Sequence, residues 1–315
     1  MDATKSTEHT TRHAPVDGAA PSAAATRLPH GSESAASDDV SALLAAEDQP
    51  SFRFEATTTL EAIRQMMAQF ADERDWDEAS SSYHTPRNLV LALTGELGEL
   101  CELFQWKHDG MLVKDWSPEE RVHLGEELSD VLLYLVRLSD KCKVDLPTAV
   151  HEKMVKNALK YPPSAHLQFP KTWAEPAVSP VSQEPQSVLC FEPTTTLELV
   201  RMKTAHFADE RGWNPNLTPR NLLLALTGEV GELCEIFQWK GDHIAVADWS
   251  QDEKVHLGEE LSDVLLYLVQ LANKCAVDLP VAVKDKMAKN AKKYPAELVK
   301  GSSKKYNEYK QLKRN

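Results

Sequence analysis

The strongest constraint on this chain is that it contains one sequence twice. The segment HLGEELSDVLLYLV at His123–Val136 recurs without change at His256–Val269, an offset of 133 residues. The same offset carries PRNLVLALTGELGELCELFQWK from Pro86 onto PRNLLLALTGEVGELCEIFQWK from Pro219, and Tyr161-Pro162 onto Tyr294-Pro295. Upstream the offset is 137. FADERDW ending at Trp76 there matches FADERGW ending at Trp213, and the first copy has a longer loop from Asp77 to Thr85. The 315 residues therefore read as two modest domains of one kind rather than one large domain.

Composition places the rest. The domains are expected at 52–162 and 193–300. Residues 1–51 are rich in Ala, Ser, Thr and Asp and hold too little apolar area to offset the entropy of ordering, so they read as disordered. Residues 163–192 form a Pro-rich linker, and 301–315 a polar, basic tail. A net charge of −13 argues against a nucleic-acid partner. No apolar run approaches the roughly 20 residues that span a bilayer, so a soluble, cytoplasmic protein is expected, with no membrane partner. Five cysteines without a C-x-x-C read as reduced, mostly packed thiols, with Cys190 apart in the linker.

Each copy reads as four helices and the fold class as all-α. The first helix starts at a capping box, Thr58-Thr59-Leu60-Glu61 or Thr195-Thr196-Leu197-Glu198. The second starts at Thr85-Pro86 or Thr218-Pro219, with Pro in the first helical position. A second capping box, from Ser117 or Ser250, opens the third, and Leu146-Pro147 or Leu279-Pro280 opens the fourth. In the third helix Leu124, Leu128, Val131, Leu135 and Leu138 form one apolar stripe, as a bundle helix requires.

The chemistry lies beside that stripe. The second helix carries Glu96, Glu99 and Glu102; the third carries Glu127 and Asp130, about 60° apart in projection, with Tyr134 one turn on. Copy two repeats them as Glu229, Glu232, Glu235, Glu260, Asp263 and Tyr267. Carboxylates on adjacent helices repel unless a cation joins them, and a hard oxygen set without Cys or His suits Mg²⁺ or Mn²⁺. A solvated acidic face is the plainer alternative for any one pair. Gly95 and Gly98 interrupt the second helix, at about 1 kcal/mol each relative to Ala, so close helix packing or room for a ligand is expected there. Trp76, Trp106, Trp213 and Trp239 supply rings for stacking on a base, although most tryptophans are core anchors. Lys153 and Asn157, with Lys286 and Asn290 in copy two, share a helix face as a phosphate grip or as ordinary surface residues. Glu120-x-x-His123 and Glu253-x-x-His256 leave a di-iron carboxylate bundle as a remote alternative.

Together, PRNL, GE-x-GEL-x-E-x-FQWK, EELSDVL-x-YL, VDLP and KM-x-x-N-x-x-x-YP closely resemble the dCTP pyrophosphatases, members of the MazG-like all-α nucleoside triphosphate pyrophosphohydrolase superfamily. The resemblance covers both copies and leaves the termini and linker outside. It implies that Glu96, Glu99, Glu127 and Asp130, and likewise Glu229, Glu232, Glu260 and Asp263, bind Mg²⁺. It also implies that Trp76, Trp106 and Tyr134, with Trp213, Trp239 and Tyr267, line a nucleotide pocket. The implied reaction is hydrolysis of dCTP, normal or modified, to dCMP and diphosphate, with Glu99 or Glu102, and Glu232 or Glu235, as candidate bases. The family's substrate-contacting His in the first helix is replaced by Met67 and Thr204, with His206 two residues later, so dUTP or broad specificity stays open. The family's serine-rich basic segment has a match, Ser302-Ser303-Lys304-Lys305-Tyr306, only behind copy two, so the two sites are expected to differ in activity. Relatives built from single domains commonly form tetramers, which implies here an intrachain pair that joins a second chain as a pseudo-tetramer.

Overall fold

The computed structural model describes residues 52–77, 84–163, 190–241 and 245–300. The expected disorder of 1–51, nearly all of the 163–192 linker and the 301–315 tail fall outside the described residues. Within them the fold is all-α, with one isolated bridge between Thr59 and Thr196 and no named strand. Copy one supplies α1 (Leu60–Asp72), α2 (Pro86–Phe104), α3 (Pro118–Cys142) and α4 (Leu146–Lys160). Copy two supplies α5 (Leu197–Glu210), α6 (Pro219–Gln238), α7 (Gln251–Lys274), α8 (Leu279–Lys293) and a single extra turn, α9 (Ala296–Val299). No single described helix is long and apolar enough to cross a membrane.

Helix starts follow side-chain capping. Thr85 and Thr218 accept from the Asn88 and Asn221 amides with Pro just behind them, and Ser117 and Ser250 close full capping boxes with Glu120 and Glu253. The first helix of each copy departs from expectation. Thr59 and Thr196 do cap, accepting from the Ala62 and Leu199 amides. Glu61 and Glu198, however, leave the cap and cross to the other copy. Glu61 accepts the Phe191 N–H at 2.9 Å, and Glu198 accepts the Phe54 N–H at 2.8 Å. Arg64 and Arg201 clamp the same carboxylates at 2.7 and 2.6 Å. A buried carboxylate needs several donors, and the crossing arrangement supplies them. Phe191 is 1% exposed, so the packed region begins before residue 193, inside what composition assigned to the linker.

The crossing is reciprocal throughout. Leu60 N–H donates to the Thr195 carbonyl and Leu197 N–H to that of Thr58, at 3.0 and 3.1 Å. Glu55 N–H donates to Asp278 and Glu192 N–H to Asp145, at 3.1 and 3.0 Å. Helix α4 packs on α7 of the other copy and α8 packs on α3, while α2 meets α6 and α3 meets α7. A Cβ at Gly125 would stand 3.5 Å from that of Ala282, and one at Gly258 equally far from that of Ala149, so the exchanged helices meet through their smallest side chains. The stripe Leu124, Leu128, Val131, Leu135 and Leu138 is wholly buried and shares one apolar core with its copy-two equivalents. Neither repeat closes its bundle alone; the two interlock in one compact unit. All five cysteines are free thiols, and burial pushes Cys142 and Cys275 up to about 12.

Replacing both crossing carboxylates, Glu61→Ala with Glu198→Ala, removes the main acceptor of two buried guanidinium groups, leaving Arg64 only Asp140 and Arg201 only Asn273 among the described residues. A loss of about 3 kcal/mol per site is expected, read as a lower urea midpoint; an unchanged midpoint would refute the latch.

Candidate active site

Because the fourth helices are exchanged, each acidic cluster faces cations of the other repeat. At the first site α2 presents Glu96 and Glu99, α3 presents Glu127 and Asp130, and α8 brings Lys286 onto Asp130. Asn290 also hydrogen-bonds Asp130. At the second, α6 presents Glu229 and Glu232, α7 presents Glu260 and Asp263, and α4 brings Lys153 to 2.5 Å from Asp263. Lys153, Asn157, Lys160 and Tyr161 line a cavity of about 430 Å³ together with Glu229, Glu232, Glu260 and Asp263. Trp213, Phe207, Thr204, Leu217, Leu266 and Gln270 also line it.

Carboxylate oxygens of Glu96, Glu99 and Glu127 lie within 4.8 Å of one another, and so do those of Glu229, Glu260 and Asp263. Burial pushes Glu96 up to about 7, and the charges of Asp130, Glu99 and Glu127 add to the shift. Burial and the charges of Asp263, Glu232 and Glu260 push Glu229 to about 7 as well. Burial likewise raises Glu127, Asp130, Glu260 and Asp263 despite the facing lysines. One oxygen each of Glu127 and Glu260 is buried without a hydrogen-bond partner among the described residues. Crowded, underprotonated-at-a-cost oxygens with unused lone pairs fit a hard divalent cation. The glycines beside the acids are not packed against another element: among the described residues nothing beyond their own helix turns lies within 4 Å of a Cβ built at Gly95, Gly98, Gly228 or Gly231.

The aromatic side chains are held by arginines. Gly212 and Asp75 take left-handed φ of 64° and 53° at equivalent turns that lead into Trp213 and Trp76. Arg211 stacks on Phe207 and donates to the Tyr161 carbonyl at 2.6 Å; Arg74 stacks on Phe70 and donates to the Tyr294 carbonyl at 2.9 Å. These bonds set Tyr161 edge-on to Trp213 at 5.4 Å and Tyr294 edge-on to Trp76 at 6.1 Å. Burial raises the phenols of Tyr134 and Tyr267, which stand beside the acids.

The structure thus gathers most residues that the sequence singles out. It sets others apart. Glu102 and Glu235 are exposed and belong to neither oxygen cluster; Glu99 and Glu232 are exposed as well, and Asp130 and Glu232 stand outside the tight oxygen cluster of their own sites. Trp106 and Trp239 are 89% and 88% exposed just past the ends of α2 and α6, and Trp239 does not line the cavity. Glu120 and Glu253 are committed to capping boxes and to Lys107 and Lys240, while His123 and His256 lean on Glu127 and Glu260, so the Glu-x-x-His pairs do not converge as a di-iron site would need. Sequence reasoning missed Tyr161, Phe207, Leu217, Leu266 and Gln270 as lining residues. It also missed that Lys153 and Asn157 serve the second copy's acids, since no sequence pattern marks a helix exchange.

This geometry has known counterparts. The MazG-like family model matches residues 92–175 and 225–309, together more than half of the chain. The chain belongs to the MazG-like family and carries its domain twice. It is similar to dCTP pyrophosphatase 1 of Homo sapiens, 57% identical over 117 residues that make up 37% of this chain and 65% of that protein. It is also similar to dCTP pyrophosphatase 1 of Mus musculus, 56% identical over 112 residues, 35% of this chain and 64% of that protein. The chain therefore spans just under two thirds of the length of the curated relatives it matches.

The raised carboxyls make a signed prediction for metal-free protein. An acid whose folded value of about 7 exceeds its reference value of 4.5 favours the folded state in its protonated form, and the cost of ionising it is fully present once pH passes the folded value. The thermal midpoint measured in chelator should fall as pH rises from about 5 to about 8. Glu96→Gln with Glu229→Gln should flatten that slope; an identical slope in the variant would refute the shifts.

Proposed function

We propose that this chain is a divalent-metal-dependent nucleoside triphosphate pyrophosphohydrolase that converts dCTP to dCMP and diphosphate and so controls normal or modified deoxycytidine triphosphates. The observation that carries this reading is the mixed lining of the second cavity. Clustered carboxylates and lysines share it with a Trp213–Tyr161–Phe207 aromatic wall. That is the chemical profile of a triphosphate joined to a base. The similarity to dCTP pyrophosphatase 1 supports the same substrate.

Glu96, Glu99, Glu127 and Asp130 would hold Mg²⁺ or Mn²⁺ at the first site, and Glu229, Glu232, Glu260 and Asp263 at the second. A bound cation would neutralise triphosphate charge and make the α-phosphorus more electrophilic. Lys286 with Asn290, and Lys153 with Asn157, would release their carboxylates in part and hold phosphate oxygens across the copies. Trp76 and Trp213, with Tyr294 and Tyr161, would flank the base. Glu99 and Glu232, rather than the outlying Glu102 and Glu235, would take the proton of the attacking water. Its oxygen bonds to the α-phosphorus while the bond to the bridging oxygen breaks and diphosphate leaves.

The same reading includes assembly. Leu91 and Leu224 are 70% and 71% exposed on the neighbouring helices α2 and α6, beside Gly95, Gly98, Gly228 and Gly231, which leave that face flat. The face repeats itself across the intrachain pair, so it suits an identical face on a second chain. Trp106 and Trp239 at the ends of these helices would then stand beside the partner rather than in solvent.

Purified protein should release diphosphate from dCTP in the presence of Mg²⁺, and Glu99→Gln with Glu232→Gln should lower kcat at least about a hundredfold. Retained activity would remove both proposed bases, and equal rates across dCTP, dUTP and other triphosphates would make the enzyme a broad-specificity one. In light scattering the mass should be twice the 35.2 kDa of one chain. Leu91→Glu with Leu224→Glu should reduce it to a single chain; a single-chain mass for the unaltered protein would refute the assembly.

A further inference from the structure

The internal repeat serves as its own alignment and shows where the two sites diverge. In register, Met67, His84 and Arg137 of the first copy stand where the second has Thr204, Leu217 and Gln270. The latter three all line the second cavity. Arg137 is 2% exposed and donates to Asp140 at 2.7 Å and to Asp77, the residue after Trp76. Lys141 holds Asp77 at 2.8 Å, and Arg64 reaches Asp140 at 3.2 Å. Burial works to raise the Asp77 carboxyl, but bonds from His84, Arg137 and Lys141 outweigh it and hold the group well below the usual range.

In the second copy Arg137 and both of its carboxylate partners are replaced by neutral amides in a coordinated change, while the cations at the positions of Arg64 and Lys141 remain. Gln270 replaces Arg137, and both of that guanidinium's acceptors become amides, Asn214 for Asp77 and Asn273 for Asp140. Arg201 then bonds Asn273 at 3.2 Å and Lys274 bonds Asn214 at 2.6 Å, while Gln270 Nε2 stands 3.5 Å from the Thr204 carbonyl. A buried guanidinium cannot swing away from its carboxylates without stranding charge, so Arg137 is fixed at the position that Gln270 takes in the second copy. A neutral amide has no such tether.

We infer that these positions set base size, so that the second site accepts a deoxycytidine triphosphate with a bulky substituent on the pyrimidine ring and the first site takes the unsubstituted base. The inference rests on the triphosphate hydrolysis proposed above. Thr204 and Gln270 are each smaller than Met67 and Arg137, and the ionic lock denies the first site the adjustment that the second retains. Pockets discriminate by such volume differences at about ten- to two-hundredfold per methylene-sized change.

The test uses the full chain with one site silenced, by Glu99→Gln or by Glu232→Gln, and compares kcat/KM for 5-iodo-dCTP with that for dCTP. The ratio should be at least about tenfold higher when only the second site works. Thr204→Met in that protein should remove the advantage mainly through KM, and Met67→Thr in the other should raise its ratio. Where a silenced protein turns over too slowly, calorimetric Kd values for the α,β-imido analogues of the two triphosphates give the same ratio. Equal ratios at the two sites, or a ratio unmoved by Thr204→Met in protein of normal thermal midpoint, would overturn the inference and leave hydrolysis intact. Should Thr204→Met fail to fold, the comparison between the two silenced proteins decides alone. No hydrolysis and no analogue binding by the unaltered chain would overturn both readings.

Discussion

Buried carboxylates set the terms for this fold. Two helices that bring several acids into one partly desolvated space would repel, and here the opposing charge comes from elsewhere in the chain: Lys286 faces the first cluster and Lys153 the second. Each lysine rides on a helix exchanged between repeats. The exchange therefore does two things at once, covering the apolar stripe of α3 and α7 and delivering charge to the acids beside it. The crossing bonds at Glu61 and Glu198 lock the same arrangement at its other end.

Such a site is polarised before any ligand arrives. Carboxyls raised toward 7 store unfavourable electrostatic energy that a cation relieves. The lysines partly offset it in the meantime, and they are the groups a triphosphate would recruit. Binding would then exchange carboxylate for phosphate at the same ammonium, with little movement of the backbone.

Much of this was legible in the residues. Helix starts at Thr85, Ser117, Thr218 and Ser250 could be read because capping is local chemistry, and the stripe from Leu124 to Leu138 because burial on a helix has a period. The acid clusters were legible because their spacing recurs in both copies. What stayed hidden is what depends on partners distant in sequence. Glu61 looks like half of a capping box until Phe191 is seen beside it, and Lys153 looks like a surface residue until α4 is seen on α7. Gly95 and Gly98 suggested close packing or room for a ligand, and among the described residues no other element stands near them; a missing side chain does not by itself say whether another helix, a ligand or another molecule needs the room.

Covalent fusion of the two repeats has a further consequence. Interlocked halves on separate polypeptides would complete their sites only above some threshold of abundance, because each half must first find the other. On a single polypeptide that encounter is intramolecular. Dilution that would dissolve a dimer of free-standing halves leaves both acid–lysine pairings in place.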